Sequence, residues 1–176
     1  MKPFEEALKI SDWSTNVHAI PLLENGGCKI LGTNDDNKFD ISVLWKNKKY
    51  NIEYKQDLRT HGTTNVFVEY ESRGKDSGIR TTQSTFYLYR IHYMRQREII
   101  DGISTPMVHI ECRMSYVNNI RQYILNSIEG VDYFNRMGGD KGSNTWGHCI
   151  PFEKFKTISS RMDLTKETLK YVKAMY

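Results

Sequence analysis

No stretch of this chain approaches the roughly 18 to 20 consecutive apolar residues that a membrane-spanning helix needs. Its first residues, Met1 to Ile10, carry Glu5 and Glu6 where a secretory leader would be basic and then apolar. A soluble, non-secreted, cytoplasmic protein with no membrane partner is therefore expected. Cysteine is scarce: Cys28, Cys112 and Cys149 are odd in number, widely spaced and without a C-x-x-C pair. That pattern argues against a disulfide framework and a cysteine zinc site, and it suits a reducing compartment. His109 and Cys112 have the spacing of a metal pair but no second pair accompanies them, so they read as structural. Internal repeats and low-complexity tracts are also missing. The glycine-rich stretch Gly138-Gly139-Asp140-Lys141-Gly142-Ser143 lacks the G-x-x-x-x-G-K-[ST] order, which excludes a Walker-type phosphate loop and leaves a turn near nucleic acid as its reading.

What is present is ordinary globular composition, 26% charged and 39% hydrophobic, in 176 residues, a length that fits a single domain over residues 1–176. The net charge of +4 comes from 25 basic and 21 acidic residues. So mild an excess is compatible with a polyanionic partner without requiring one.

The periodicity predicts an N-terminal helical region interrupted at Pro21, a short strand at Cys28–Leu31 and a polar loop at Thr33–Asn37. Strands are expected at Asn65–Glu69, Phe86–Ile91 and Met107–Ile110, with a glycine- and charge-rich loop at Glu71–Ile79. Val117, Ile120, Ile124, Leu125 and Ile128 recur at helical spacing within Met114–Ile128, and a last helix is expected after Asp163 or Thr165. Gly138–Gly147 reads as a loop. The fold class is α/β or α+β, a mixed central sheet flanked by helices.

The chemistry concentrates in one hairpin. Asp40, Ser42 and Leu44 alternate with Phe39, Ile41, Val43 and Trp45, while Asn51, Glu53, Lys55 and Asp57 alternate with Tyr50, Ile52 and Tyr54. A two-residue turn at Lys46 and Asn47 sets Asp40 opposite Glu53; moving the turn by one residue sets it opposite Lys55. Either way the three side chains share a face, and cross-strand Cβ atoms stand about 4.5 to 5.5 Å apart. Carboxylates so close conflict unless one is protonated or a cation lies between them. Oxygen ligands without histidine favour Mg²⁺ or Mn²⁺. Such an ion beside a lysine implies phosphodiester hydrolysis.

Phe39-Asp40-Ile41, followed on the next strand by Ile52-Glu53-Tyr54-Lys55, resembles the D…(D/E)xK signature of the PD-(D/E)xK nuclease superfamily. Phe39 stands where many members have proline. The resemblance covers Cys28 to Asp57 and extends to Asn65–Ile91; the segment Asn65–Glu69 with Gly74-Lys75 and Ser77-Gly78 also resembles small phage nucleases of the group, whose place of action would be a host cytoplasm. It implies a restriction-endonuclease-like core, Asp40 and Glu53 as metal ligands, the Tyr54 carbonyl as a further one, and Lys55 as the catalytic lysine. An acid on the first helix, Glu5 or Glu6, would complete the site. The substrate implied is DNA, with endonucleolytic cleavage; RNA cleavage and a catalytically inactive nucleic-acid-binding module are the alternatives. A homodimer fits an enzyme cutting two strands, although no heptad or apolar patch marks one.

Other readings compete at each position. Exposed hairpin faces carry glutamate and lysine for solubility as well. Glu69 and Glu71 can supply a further acid but read better as an exposed strand end. Arg73, Lys75 and Arg80, in a glycine-containing loop, are candidates for nucleic-acid phosphates.

Overall fold

The computed structural model describes residues 12–33, 38–100, 103–138 and 144–162, with backbone alone at 100 and 104–106. Glu5, Glu6, most of the Thr33–Asn37 loop and the expected last helix lie outside the described residues. Among the described residues ten strands form two sheets around a few short helices, so the chain is a mixed α/β protein with a mixed central sheet. Among the described residues no helix is long and apolar enough to cross a membrane.

The central sheet has six strands in the order β1 (Lys29–Thr33), β2 (Ile41–Trp45), β3 (Lys48–Asp57), β6 (Phe86–Ile100), β7 (Ile103–Tyr116) and β10 (Ser160–Met162). Its neighbours are antiparallel except β3 and β6, which run parallel. A second, antiparallel sheet is ordered β5 (Lys75–Asp76), β4 (Asn65–Ser72), β9 (Thr145–Pro151) and β8 (Phe134–Gly138). The helices are α1 (Ile20–Asn25), α2 (Thr60–Thr63), α3 (Val117–Asn126) and α4 (Phe152–Thr157).

Alternation along the strands divides the core. Val66 and Val68 of β4, Tyr87, Tyr89 and Ile91 of β6, Val117 and Ile120 of α3, Ile150 of β9 and Phe152 and Phe155 of α4 form one cluster that ties the two sheets together. Leu22, Leu23, Ile41, Val43, Ile52, Tyr54 and Leu88 form the other, where the N-terminal helix covers the opposite face of the central sheet. Each fully buried aliphatic or aromatic side chain contributes about 1.5–3 kcal/mol.

Several expected boundaries change, each for a local reason. Pro21 does not break the helix: a π-helical turn, Thr15–Ala19, precedes it and places proline in the first turn of α1, where a missing N–H costs nothing. The Glu71–Ile79 loop is largely a hairpin, with Arg73 and Gly74 at positive φ between Ser72 and Lys75, and then a 3₁₀ turn at Gly78–Arg80. Strands β6 and β7 run well past Ile91 and Met107 as a two-stranded ribbon, bulged between His92 and Met94. The helix expected from Met114 starts at Val117, because Met114 still pairs with Leu88 in the sheet. Gly138 and Gly147 are strand residues rather than the ends of a loop. The layer covering β6 on the first cluster's side is mainly the second sheet, with α3 and α4, rather than helices alone.

Candidate active site at the hairpin

The hairpin of β2 and β3 turns on Lys46 and Asn47, both at positive φ (49° and 61°), the left-handed geometry of a tight two-residue hairpin turn. Trp45 accordingly pairs with Lys48, and the ladder runs unbroken to Ile41 opposite Ile52. The next step along both strands sets Asp40 beside Glu53, the first of the two registers open from the sequence. Here β2 ends, and the Asp40 side chain replaces it: the Tyr54 N–H donates to Asp40 Oδ2 at 2.6 Å. Asp40 is thereby fixed against the strand that carries Glu53 and Lys55.

Parallel pairing with β6 brings Tyr87 beside Glu53 and Tyr89 beside Lys55. Lys55 Nζ lies 2.8 Å from Glu53 Oε1. The other oxygen, Glu53 Oε2, accepts from Thr82 Oγ1 at 3.3 Å and Ser84 Oγ at 3.5 Å. The segment holding these hydroxyls is clamped from two sides. The Gln83 N–H donates to the Lys38 carbonyl at 3.1 Å, and Arg121 of α3 donates to the carbonyls of Ile79 and Thr82 at 3.0 and 3.1 Å.

The electrostatics follow from this crowding. Burial pushes the Asp40 carboxyl up to about 6, and Glu53 adds to the rise against the opposing pull of Lys55 and the Tyr54 N–H. For Lys55, burial pulls downward, but Glu53, Asp40 and Glu69 raise the ammonium above its ordinary value, so it stays charged. Tyr87 is 1% exposed, and its hydroxyl has no hydrogen-bond partner among the described residues. Burial, with Glu53 and Glu69 nearby, moves its phenol upward and keeps it a neutral donor.

Glu69 belongs to this neighbourhood, although the sequence favours an exposed strand end. A bulge between Glu69 and Glu71 takes the two glutamates out of simple alternation. Ser77 Oγ donates to Glu69 Oε1, and Gly78 (φ 49°) presses on the Glu69 backbone, where a Cβ would come within 2.3 Å of its carbonyl oxygen. The Ser77-Gly78 pair is the sequence signal for this contact. Asp57, by contrast, is structural: it accepts the N–H groups of Arg59, Thr60 and Phe67, each at 3.0 Å.

Beside the site opens a cleft of about 770 Å³, reaching from Lys55 and Glu69 along β4 to β8 and β9. Arg73 and Lys75 stand exposed at the β4–β5 turn and do not line it. Arg80 is engaged with Asp76 at 2.8 Å and lies over the Tyr70 ring. His109 and Cys112 are three residues apart on β7 and so project from opposite faces, which rules them out as a metal pair. No family model matches the chain, and no curated protein or solved structure matches it either.

Proposed function

We propose that this protein is a metal-dependent nuclease of the PD-(D/E)xK type that hydrolyses DNA phosphodiester bonds, most simply as an endonuclease. The observation supporting it is the convergence of Asp40 on the Glu53–Lys55 pair, on one sheet face beside an open cleft.

The donor set suits Mg²⁺ or Mn²⁺. It consists of oxygens alone, and Mg²⁺ is commonly held by one or two carboxylates, with waters filling the remaining positions. Two carboxylates close enough for Glu53 to raise Asp40 gain from a cation between them. Asp40 and Glu53 would hold the ion, with the Tyr54 carbonyl as the adjoining backbone donor. When bound, such a cation polarises the phosphate and acidifies a nearby water.

The chain's own groups do the rest. Thr82 and Ser84 fix one oxygen of Glu53, which keeps the carboxylate in place. Lys55 offers a compact positive charge to the oxygen on which negative charge builds, and its contact with Glu53 holds it at that position. The Tyr87 hydroxyl supplies a neutral donor on the same face.

The test is incubation of plasmid, linear, single-stranded and junction DNA, and of RNA, with Mg²⁺, Mn²⁺ or EDTA. Cleavage of DNA that needs metal and disappears in Lys55→Ala is the expected result. Preference for RNA would reassign the substrate. Binding without cleavage under every condition would make the protein a nucleic-acid-binding module instead.

A further inference from the structure

The cleft beside Lys55 contains groups that the hydrolytic reaction does not use. Its walls include Arg59, just past β3, and Arg136 on β8. Both are exposed, and neither guanidinium is in an ion pair among the described residues. Two aromatic rings accompany them. Phe134 is 48% exposed, with its ring on the cleft wall. Phe67 lies across the second sheet where β8 and β9 carry glycine: a Cβ at Gly138 or Gly147 would come within 2.7 or 2.4 Å of its ring. Those two glycines let the ring lie against the strand backbone while still lining the cleft. The carboxylates on the same wall are occupied, Asp57 by three backbone N–H groups and Glu69 by Ser77.

Unpaired arginines sharing a cleft with partly exposed aromatic rings match a single nucleic-acid strand, whose phosphates take the cations and whose exposed base faces take the rings. A duplex hides its base faces in its own stack. The volume is of matching scale: about 770 Å³ lies in the range of small-ligand pockets, roughly 300–1,000 Å³, enough for one or two nucleotides. Resting on the nuclease reading above, we propose that the cleft seats an unpaired stretch of one or two nucleotides. Its bases stack on Phe134 and Phe67, its phosphates meet Arg59 and Arg136, and the adjoining phosphodiester is delivered to Lys55. The preferred substrate would then be DNA with unpaired nucleotides, single-stranded, gapped or flapped, rather than intact duplex.

Binding in EDTA separates this inference from catalysis. A fluorescent single-stranded 12-mer and the duplex of the same sequence would be titrated with the wild-type protein, with Phe134→Ala and with the double variant Arg59→Gln/Arg136→Gln, across a salt series. The single strand is expected to bind at least tenfold more tightly than the duplex. Phe134→Ala should weaken it roughly tenfold, the size of one lost base–aromatic stack, without altering the salt slope. The arginine variant should instead make that slope shallower by about 1.4, two contacts of about 0.7 each. Both substitutions fall on exposed side chains, and circular dichroism verifies their folding. Equal or tighter duplex binding, or an unchanged affinity in Phe134→Ala, would overturn the proposal even if the protein cuts DNA. The expected pattern with no cleavage in Mg²⁺ would uphold the cleft and reject the nuclease.

Discussion

Strands β3 and β6 carry polar groups on both faces, and the two faces treat them in opposite ways. On one, Glu53, Lys55, Tyr87 and Tyr89 stand with Asp40 and Glu69 beside an open cleft. On the other, Arg90 and His92 point into the layer beneath the N-terminal helix, together with His18, and all three are at most 3% exposed. Arg90 Nη1 donates to His92 Nε2 at 2.8 Å, which requires a neutral imidazole with its proton on Nδ1. Arg90 Nη2 and both His18 nitrogens have no hydrogen-bond partner among the described residues. Burial, reinforced by Arg90, pulls His18 and His92 down to about 4. Alternate residues of the same strands thus give an acidic face beside a cleft and a closed basic face that suppresses ionisation. Access to solvent separates them: a charge beside a cleft can be answered by solvent or a cation, whereas a charge under a helix depends on whatever the chain supplies.

The largest effects should fall on the open face and be chemical. Lys55→Ala and Glu53→Gln are each expected to lower cleavage by about 10²-fold or more. DNA affinity should change by less than about threefold, since one group counts little in an interface of several phosphates. Lys55→Ala should cost under about 1 kcal/mol of stability, because its ion pair is partly exposed. Turnover assays beside denaturant melts would show this split, and full turnover in both variants would return the face to simple solvation.

On the closed face the effect should be structural. His92→Leu removes the acceptor of a buried guanidinium, and the expected destabilisation is about 2–3 kcal/mol with cleavage kept in the remaining folded protein. Urea melts check it; a loss below about 0.5 kcal/mol would mean that Arg90 finds another acceptor.

The faces should also respond to pH with opposite signs. Imidazoles at about 4 in the folded chain titrate near 6.5 when unfolded, so the unfolded state binds more protons between those values. Stability from His18 and His92 is therefore present above about pH 6.5 and lost as pH falls towards 4, on the order of 2 kcal/mol for each. His92→Leu should flatten that acid limb.

Asp40 works the other way and more weakly. Its folded value of about 6 lies above the ordinary carboxylate range, so the folded state binds the extra proton between about 4 and 6, and stability falls as pH rises through that window. Asp40→Asn, which keeps an acceptor for the Tyr54 N–H, should raise metal-free stability at pH 7 to 8 by about 1 kcal/mol and change nothing near pH 4. Mg²⁺ above its Kd should stabilise the wild type but not the variant. Thermal melts in EDTA and in Mg²⁺ decide the matter, and a strongly destabilised Asp40→Asn unaffected by metal would make this aspartate a structural acceptor.

The hairpin was the most legible part of the sequence because strict period-two alternation runs along both strands. Its register was legible only as two alternatives, since the left-handed backbone at Lys46 and Asn47 decides it and neither residue is glycine. Strands β8 and β9 were hidden by Gly138 and Gly147, which look like loop punctuation but make room for the Phe67 ring of another strand. The length of β6 was hidden by the bulge after His92, which breaks the alternation. Glu69 was discounted because its placement depends on Ser77 and Gly78 folding back over it. Arg121 stands outside the apolar stripe of α3 and was not singled out, yet it clamps the segment carrying Thr82. The omissions at Gly138, Gly147, Glu69 and Arg121 are tertiary contacts with no local periodicity.

The order of strands also bears on how the chain reaches this structure. β4 and β5 lie in the connection between the parallel partners β3 and β6, but β4 pairs with β9, which follows only after the whole β6–β7 ribbon and α3. The second sheet is therefore stitched from two segments whose paired residues, from Ser72 with Thr145 to Asn65 with Pro151, are far apart in sequence, and closing so long a loop comes before any pairing that rewards it. The β2–β3 hairpin closes through two residues and can form early. Glu53 and Lys55 would then be in register well before Phe67 and Phe134 face them across a cleft, and the half of the molecule built on the second sheet would be the last to assemble.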